Sequence, residues 1–154
     1  MKILTCFLVL TLGSFFSAQI VPSQRTRLIE KYRAATGAYS TAQKSKNKAA
    51  ILESIPQLKA VADLIIEANN PVIVKTTRYN YTPYPGDVKT DNARRSYDTK
   101  MDSHNKELTE MNARLSSFVP PTEITPETIR MIDKFNRDMY EAIEKHDIAC
   151  QNIR

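Results

Sequence analysis

Seven side chains recur along one stretch of this chain, Tyr97, Met101, His104, Leu108, Met111, Leu115 and Phe118, in steps of 4, 3, 4, 3, 4 and 3 residues. Two positions per heptad, held for three heptads, draw a narrow stripe down one face of an α-helix, and no strand has that period. Such a stripe is stable only when another helix covers it. The chain is therefore expected to pack helix on helix, and partner stripes lie on both sides of this one.

After it, Thr125-Pro126-Glu127 reads as an N-cap, a proline at the first helical position and an acid near the positive end of the helix dipole. The helix that follows carries Ile129, Ile132, Phe135, Met139, Ala142, Ile143 and His146 on one side. Asp133–Arg137, Lys134–Asp138 and Glu141–Lys145, each four apart, mark its wet side. The short Val119–Ile124 link between these two helices predicts an antiparallel pair. Phe118 then lies near Pro126, so Leu108, Met111 and Leu115 face Ile129, Ile132 and Phe135, His104 faces Tyr140, and His146 faces Asp98.

Upstream, Ser23 caps a first helix reaching about Lys44, with Leu28, Tyr32, Ala35, Tyr39 and Ala42 on its inner face. A second spans about Ser45 to Glu67, with Ile51, Ile55, Leu58, Ala62 and Ile65 in line and Val61 and Leu64 widening the stripe. Pro56 falls within it and removes one backbone donor, which predicts a kink or a fresh helix start. The expected fold is all-α: an antiparallel four-helix bundle-like domain, with a long Tyr/Pro-containing connection from Asn69 to Thr90 between helices 2 and 3. Within that connection Val72 to Tyr81 is β-branched and aromatic and reads as a strand, although it has no partner strand. Thr82-Pro83-Tyr84-Pro85-Gly86-Asp87 closes it with turn residues.

The N-terminus is of another character. Lys2 precedes an apolar run from Ile3 to Leu12, and small residues between Ser14 and Ala18 suit a signal-peptidase cut. The run is shorter than the ~20 apolar residues a membrane helix needs. Residues 1–18 are expected to be a cleaved signal peptide and residues 19–154 a single helical domain, secreted to the extracellular space, or to the periplasm if the source is bacterial. Past the signal only Cys150 remains of two cysteines, so no disulfide framework forms within the domain, and its stability must come from packed helices. Cys150 offers a route to a covalent dimer, or serves as a small apolar side chain at a helix end.

Charge is unevenly spread. Between Gln24 and Lys48 stand seven basic residues against Glu30 alone, whereas Ala49–Arg154 carries 14 basic and 16 acidic residues. A basic first helix attracts anionic surfaces, and Arg25, Arg27, Lys31 and Arg33 are its candidate contact residues. No aromatic–basic motif accompanies them, which disfavours nucleic acid. Tyr79, Tyr81 and Tyr84, beside Pro83 and Pro85, form a second candidate contact surface, since tyrosine combines large area with a polar tip. Asn80-Tyr81-Thr82 is an N-glycosylation sequon, usable at Asn80 only in a eukaryote.

The sequence carries no recognisable catalytic signature. A phosphate-cradling loop needs clustered glycines, and only Gly37 and Gly86 follow the signal. A carboxylate-bridged di-metal bundle needs Glu three residues before each His, and Met101 and Ile143 hold those positions. Cys150 follows His146 by one helical turn, but a Cys–His nucleophile also needs an orienting group and a cleft, and none is expected at the end of a bundle. The sequence thus predicts no enzyme, metal or cofactor, and instead an interaction or binding module that contacts another protein or an anionic surface. Two alternatives follow from it: a carrier of a small apolar ligand, because Met101, Met111, Met131 and Met139 lie on or near the seams, and a minor hydrolase or metal-dependent enzyme.

Overall fold

The computed structural model describes residues 23–77 and 89–153. They form four helices, α1 (Gln24–Lys44), α2 (Lys48–Thr77), α3 (Asp91–Ser116) and α4 (Pro126–Asn152), and no strand occurs among the described residues. Each helix packs on its neighbours around the bundle, and α2 and α4 also touch across the diagonal. The fold is the four-helix bundle-like domain that the periodicity predicts.

Local chemistry sets the helix ends. The Ser23 hydroxyl accepts the Thr26 N–H at 3.2 Å and starts α1. At the other end the Lys46 N–H reaches the Gln43 carbonyl at 3.0 Å and the Asn47 N–H reaches that of Ala42 at 3.1 Å. This closing loop places Lys46 in the left-handed region, at φ 54°. The Asn47 side chain then accepts the Ala50 N–H at 3.1 Å, so only three residues separate α1 from α2. Thr90 caps α3 through the Ala93 N–H at 3.2 Å. Thr125 and Thr128 cap α4 reciprocally, each backbone N–H donating to the other's hydroxyl, at 2.8 and 3.2 Å.

Helix α2 departs from expectation twice. It runs unbroken past Pro56, so no new helix starts there. The proline removes only the bond to the Leu52 carbonyl, while Ile51, Ile55 and Leu58, at most 2% exposed, hold both flanks in the core. It also passes Pro71 and ends at Thr77, so Val72–Thr77 is helix and not strand. Residues Asn69–Thr77, expected at the start of the long connection, are therefore the end of α2. Tertiary partners override the β-branched propensity there: the Asn105 amide on α3 donates to the Ile73 carbonyl and to Thr76 Oγ1, both at 3.1 Å. Thr76 in turn bonds back to the Val72 and Ile73 carbonyls.

The antiparallel α3–α4 pair forms, in another register. Phe118 stacks on Phe135, with centroids 3.7 Å apart and planes 6° from parallel, and does not lie by Pro126. Arg114 reaches Asp138 and Glu141 at 3.7 and 3.5 Å, and Lys145 reaches Glu107 at 3.3 Å. The helices are offset by roughly two turns from the expected facing set of Leu108, Met111 and Leu115 against Ile129, Ile132 and Phe135. The cause lies in the link, which does not turn back tightly but tucks Ile124 into the core at 3% exposure and leaves Val119 at 72%.

A continuous apolar cluster fills the bundle, from Ile51, Ile124 and Ile132 at one end to Ile65, Ala68 and Ile143 at the other. Tyr39 is buried in it and donates its hydroxyl to Asp133 Oδ1 at 2.8 Å, tying α1 to α4. Burial, reinforced by that bond, holds its ionisation well above the usual tyrosine range. Met101, Leu108 and Ala149 are also buried but lie outside this cluster. A layer of polar side chains stands between.

Candidate functional site

The polar layer is built on Asn69 and His146, 0% and 1% exposed. His146 Nδ1 lies 2.9 Å from Asn69 Oδ1, and Asn69 Nδ2 donates to Asn112 Oδ1, also at 2.9 Å. Asn112 passes the chain to Asn70 at 3.1 Å. Because the Asn69 amide nitrogen is spent on Asn112, its oxygen must accept, and the proton of His146 sits on Nδ1. Nε2 then carries the lone pair, and Cys150 Sγ lies 3.5 Å from it. Cysteine, histidine and asparagine are thus in line across α4 and α2, with Asn69 as the orienting group that the sequence reading did not anticipate. Burial lowers the affinity of His146 for a proton, only partly offset by Asp147. A base weakened in that way takes up a proton less readily, and the bonds to Asn69 and Cys150 fix the position of the ring. His146 pairs with α2 and not with Asp98 of α3.

His104 is 7% exposed. Its ionisation is lowered chiefly by burial, with Glu107 opposing, and its Nε2 is buried without a hydrogen bond among the described residues. No group of three or more His, Cys, Asp or Glu side chains among the described residues is placed to hold a metal ion. No described helix is long and apolar enough to cross a membrane.

The basic first helix divides into two roles. Arg25 turns towards α4 and pairs with Glu144 at 2.6 Å and Asp147 at 3.4 Å, so it clamps the bundle. Arg27 and Lys31 turn the other way. They line an open groove of about 410 Å³ between α1 and α2, with Leu28, Leu64, Glu67, Ala68 and Gln24. Arg27, Lys31 and Glu67 form no ion pair among the described residues. Leu64, expected in the core stripe, is instead 42% exposed in this groove. Towards the α1–α2 turn the same seam opens again, into a space of about 420 Å³ beside Gly37, Ala38, Thr41, Glu53 and Gln57. Arg33 is exposed and lines neither opening. Tyr79, Asn80, Tyr81 and Tyr84 lie outside the described residues, as does the expected signal peptide.

A second periodicity, missed in the sequence, explains the groove. Arg27, Lys31, Ala34, Ala38 and Thr41 on α1, and Glu53, Gln57, Ala60, Leu64 and Glu67 on α2, each advance by 4, 3, 4 and 3 residues, and all ten are exposed. The outer face of the hairpin therefore carries a seam of its own, too polar at its ends and too small in its middle to stand out beside the inner one. No family model, curated protein or solved structure matches the chain.

Proposed function

We propose that this chain is a secreted, non-catalytic binding module whose contact surface is the outer face of the α1–α2 hairpin. The observation that carries the reading is the groove itself: two cations, Arg27 and Lys31, without ion-pair partners among the described residues, beside a half-exposed leucine. An unpaired charge next to exposed apolar area suits a partner that supplies both an anion and an apolar contact. The buried methionines weigh against the carrier alternative, since Met101, Met111 and Met139 are at most 2% exposed and are spent on packing. The Tyr79, Tyr81 and Tyr84 segment is a further contact surface on this reading.

The test is capture of partners from the native fluid by wild-type protein and by two variants, Arg27→Glu/Lys31→Glu and Tyr79→Ala/Tyr81→Ala/Tyr84→Ala. Loss of capture with an unchanged melting temperature supports the surface concerned. A folded groove variant that still retrieves the wild-type partners rules out the groove.

A further inference from the structure

We infer that the partner fitted by the α1–α2 face is a second copy of this chain, the two faces meeting about a two-fold axis parallel to the helices. The inference rests on the reading of that face as a contact surface and adds its occupant. The argument starts from the distribution of charge across the groove. Arg27 and Lys31 stand on the α1 rim and Glu67 on the α2 rim at the same level, since all three line one opening. A two-fold axis running along the groove lays α1 of one copy over α2 of the other without changing level. Each Arg27–Lys31 pair then meets Glu67 of the second copy, twice over by symmetry. The perpendicular axis in the same plane lays α1 on α1 and α2 on α2, and sets Glu67 opposite Glu53 of the second copy. Like charges there oppose association, so the charge pattern selects the first axis.

Shape agrees with charge. Between the charged ends the outer seam narrows to Ala34, Ala38 and Ala60, with Gly37 beside them, and a Cβ built on Gly37 meets no atom within 4 Å. Small side chains let helices approach closely. Leu64, 42% exposed in the single chain, is covered by α1 of the second copy. Helix α1 is 21 residues long, or about 30 Å at 1.5 Å per residue, and two helices side by side are about 20 Å wide. The face thus offers roughly 600 Å² per copy, which places the pair near the lower bound of specific interfaces and predicts a weak, reversible dimer.

Sedimentation velocity across a concentration series tests this, with the purified protein in reductant so that no Cys150 disulfide can join copies. Wild type should show reversible dimers that weaken as salt rises. Arg27→Glu/Lys31→Glu and Glu67→Lys should each weaken self-association about tenfold or more, because each sets like charges opposite one another. Mixing the two variants should restore a dimer, since both ion-pair clusters re-form, one in reversed sense and the other as in the wild type. All substituted side chains are exposed, and circular dichroism confirms that the variants are folded. A wild-type chain that stays monomeric at low salt, or variants that fail to recover on mixing, overturns the dimer. If Arg27→Glu/Lys31→Glu still loses capture from native fluid in that case, the binding reading survives and its partner is another molecule.

Discussion

Asn69 and His146 meet at 2.9 Å in the interior of the bundle, one on α2 and the other on the diagonal helix α4, and both are at most 1% exposed. Their bond is the joint from which Cys150 and Asn112 are held in turn. Truncating either partner leaves a buried donor or acceptor unsatisfied. Asn69→Ala and His146→Ala should each cost about 2–4 kcal/mol, since one or two stranded polar groups cost about 1–3 kcal/mol apiece. The double variant should cost clearly less than the sum, as in any coupled pair. Urea denaturation of the four proteins measures this, and additive costs would show that the bond does not couple the residues.

Stability should also fall in mild acid. Burial lowers the proton affinity of His104 and His146 below the ordinary value of 6.5. Between that value and their native ones the unfolded chain binds protons that the native chain does not, so unfolding is favoured as pH drops. Above about pH 7 both states are neutral at these sites, and the histidine contribution is flat. The urea midpoint should therefore decline below pH 6.5, and less steeply once His146 is replaced by Gln. A midpoint that is constant down to pH 5, or a slope unaffected by the replacement, would contradict it.

Lys46 occupies a left-handed backbone position, φ 54°, at the end of α1. A side chain with Cβ is strained there by about 1–2 kcal/mol, part of which glycine gives back in unfolded-state freedom. Lys46→Gly should raise stability by about 0.5–1 kcal/mol. A drop in melting temperature would show that Lys46 makes a contact worth more than the strain.

Leu108 and Leu115 are fully buried on α3. Leu108→Ala and Leu115→Ala should each cost about 2–5 kcal/mol, depending on how far the site relaxes. Leu115 lies in the continuous cluster and Leu108 beyond the polar layer. Native-state hydrogen exchange on the Leu108 variant should show the larger loss of protection at the α2 and α4 C-termini, and on the Leu115 variant through the main core.

Much of this architecture was legible because inner seams and caps are local. Ser23, Thr125 and Pro126 announce helix starts, and the 4, 3 spacing of α3 names Met101, His104, Leu108, Met111 and Leu115, all buried. What escaped was set by contacts distant in sequence. Val72 and Ile73 have strand propensity, and a partner more than thirty residues away, Asn105, helps hold them in helix. Asn69 read as the start of a loop because a lone asparagine does not reveal that His146 lies opposite. The α3–α4 register was lost because counting link residues cannot show that Ile124 turns inward. At the candidate surface, Arg27 and Lys31 were found by charge, but Arg25, named with them, belongs to α4 through Glu144 and Asp147.

The polar contacts between α2 and α3 have a further consequence. Asn69 meets Asn112, and Thr76 meets Asn105, so the two rungs are seven residues apart on both helices. They act as a key with two teeth. A slide of α3 along α2 by less than a heptad engages neither tooth. A slide of one full heptad brings Asn105 to Asn69 but drives Asn112 against Ala62, in the apolar cluster, or in the other direction takes Asn112 from Asn69 altogether. Every misfit strands an amide in the interior, at a cost of about 1–3 kcal/mol per group. Apolar heptads alone tolerate such sliding, because each repeat resembles the next. Here α2 and α3 have one seating, and the face that α2 presents on the outside of the hairpin inherits its alignment from that lock on the inside.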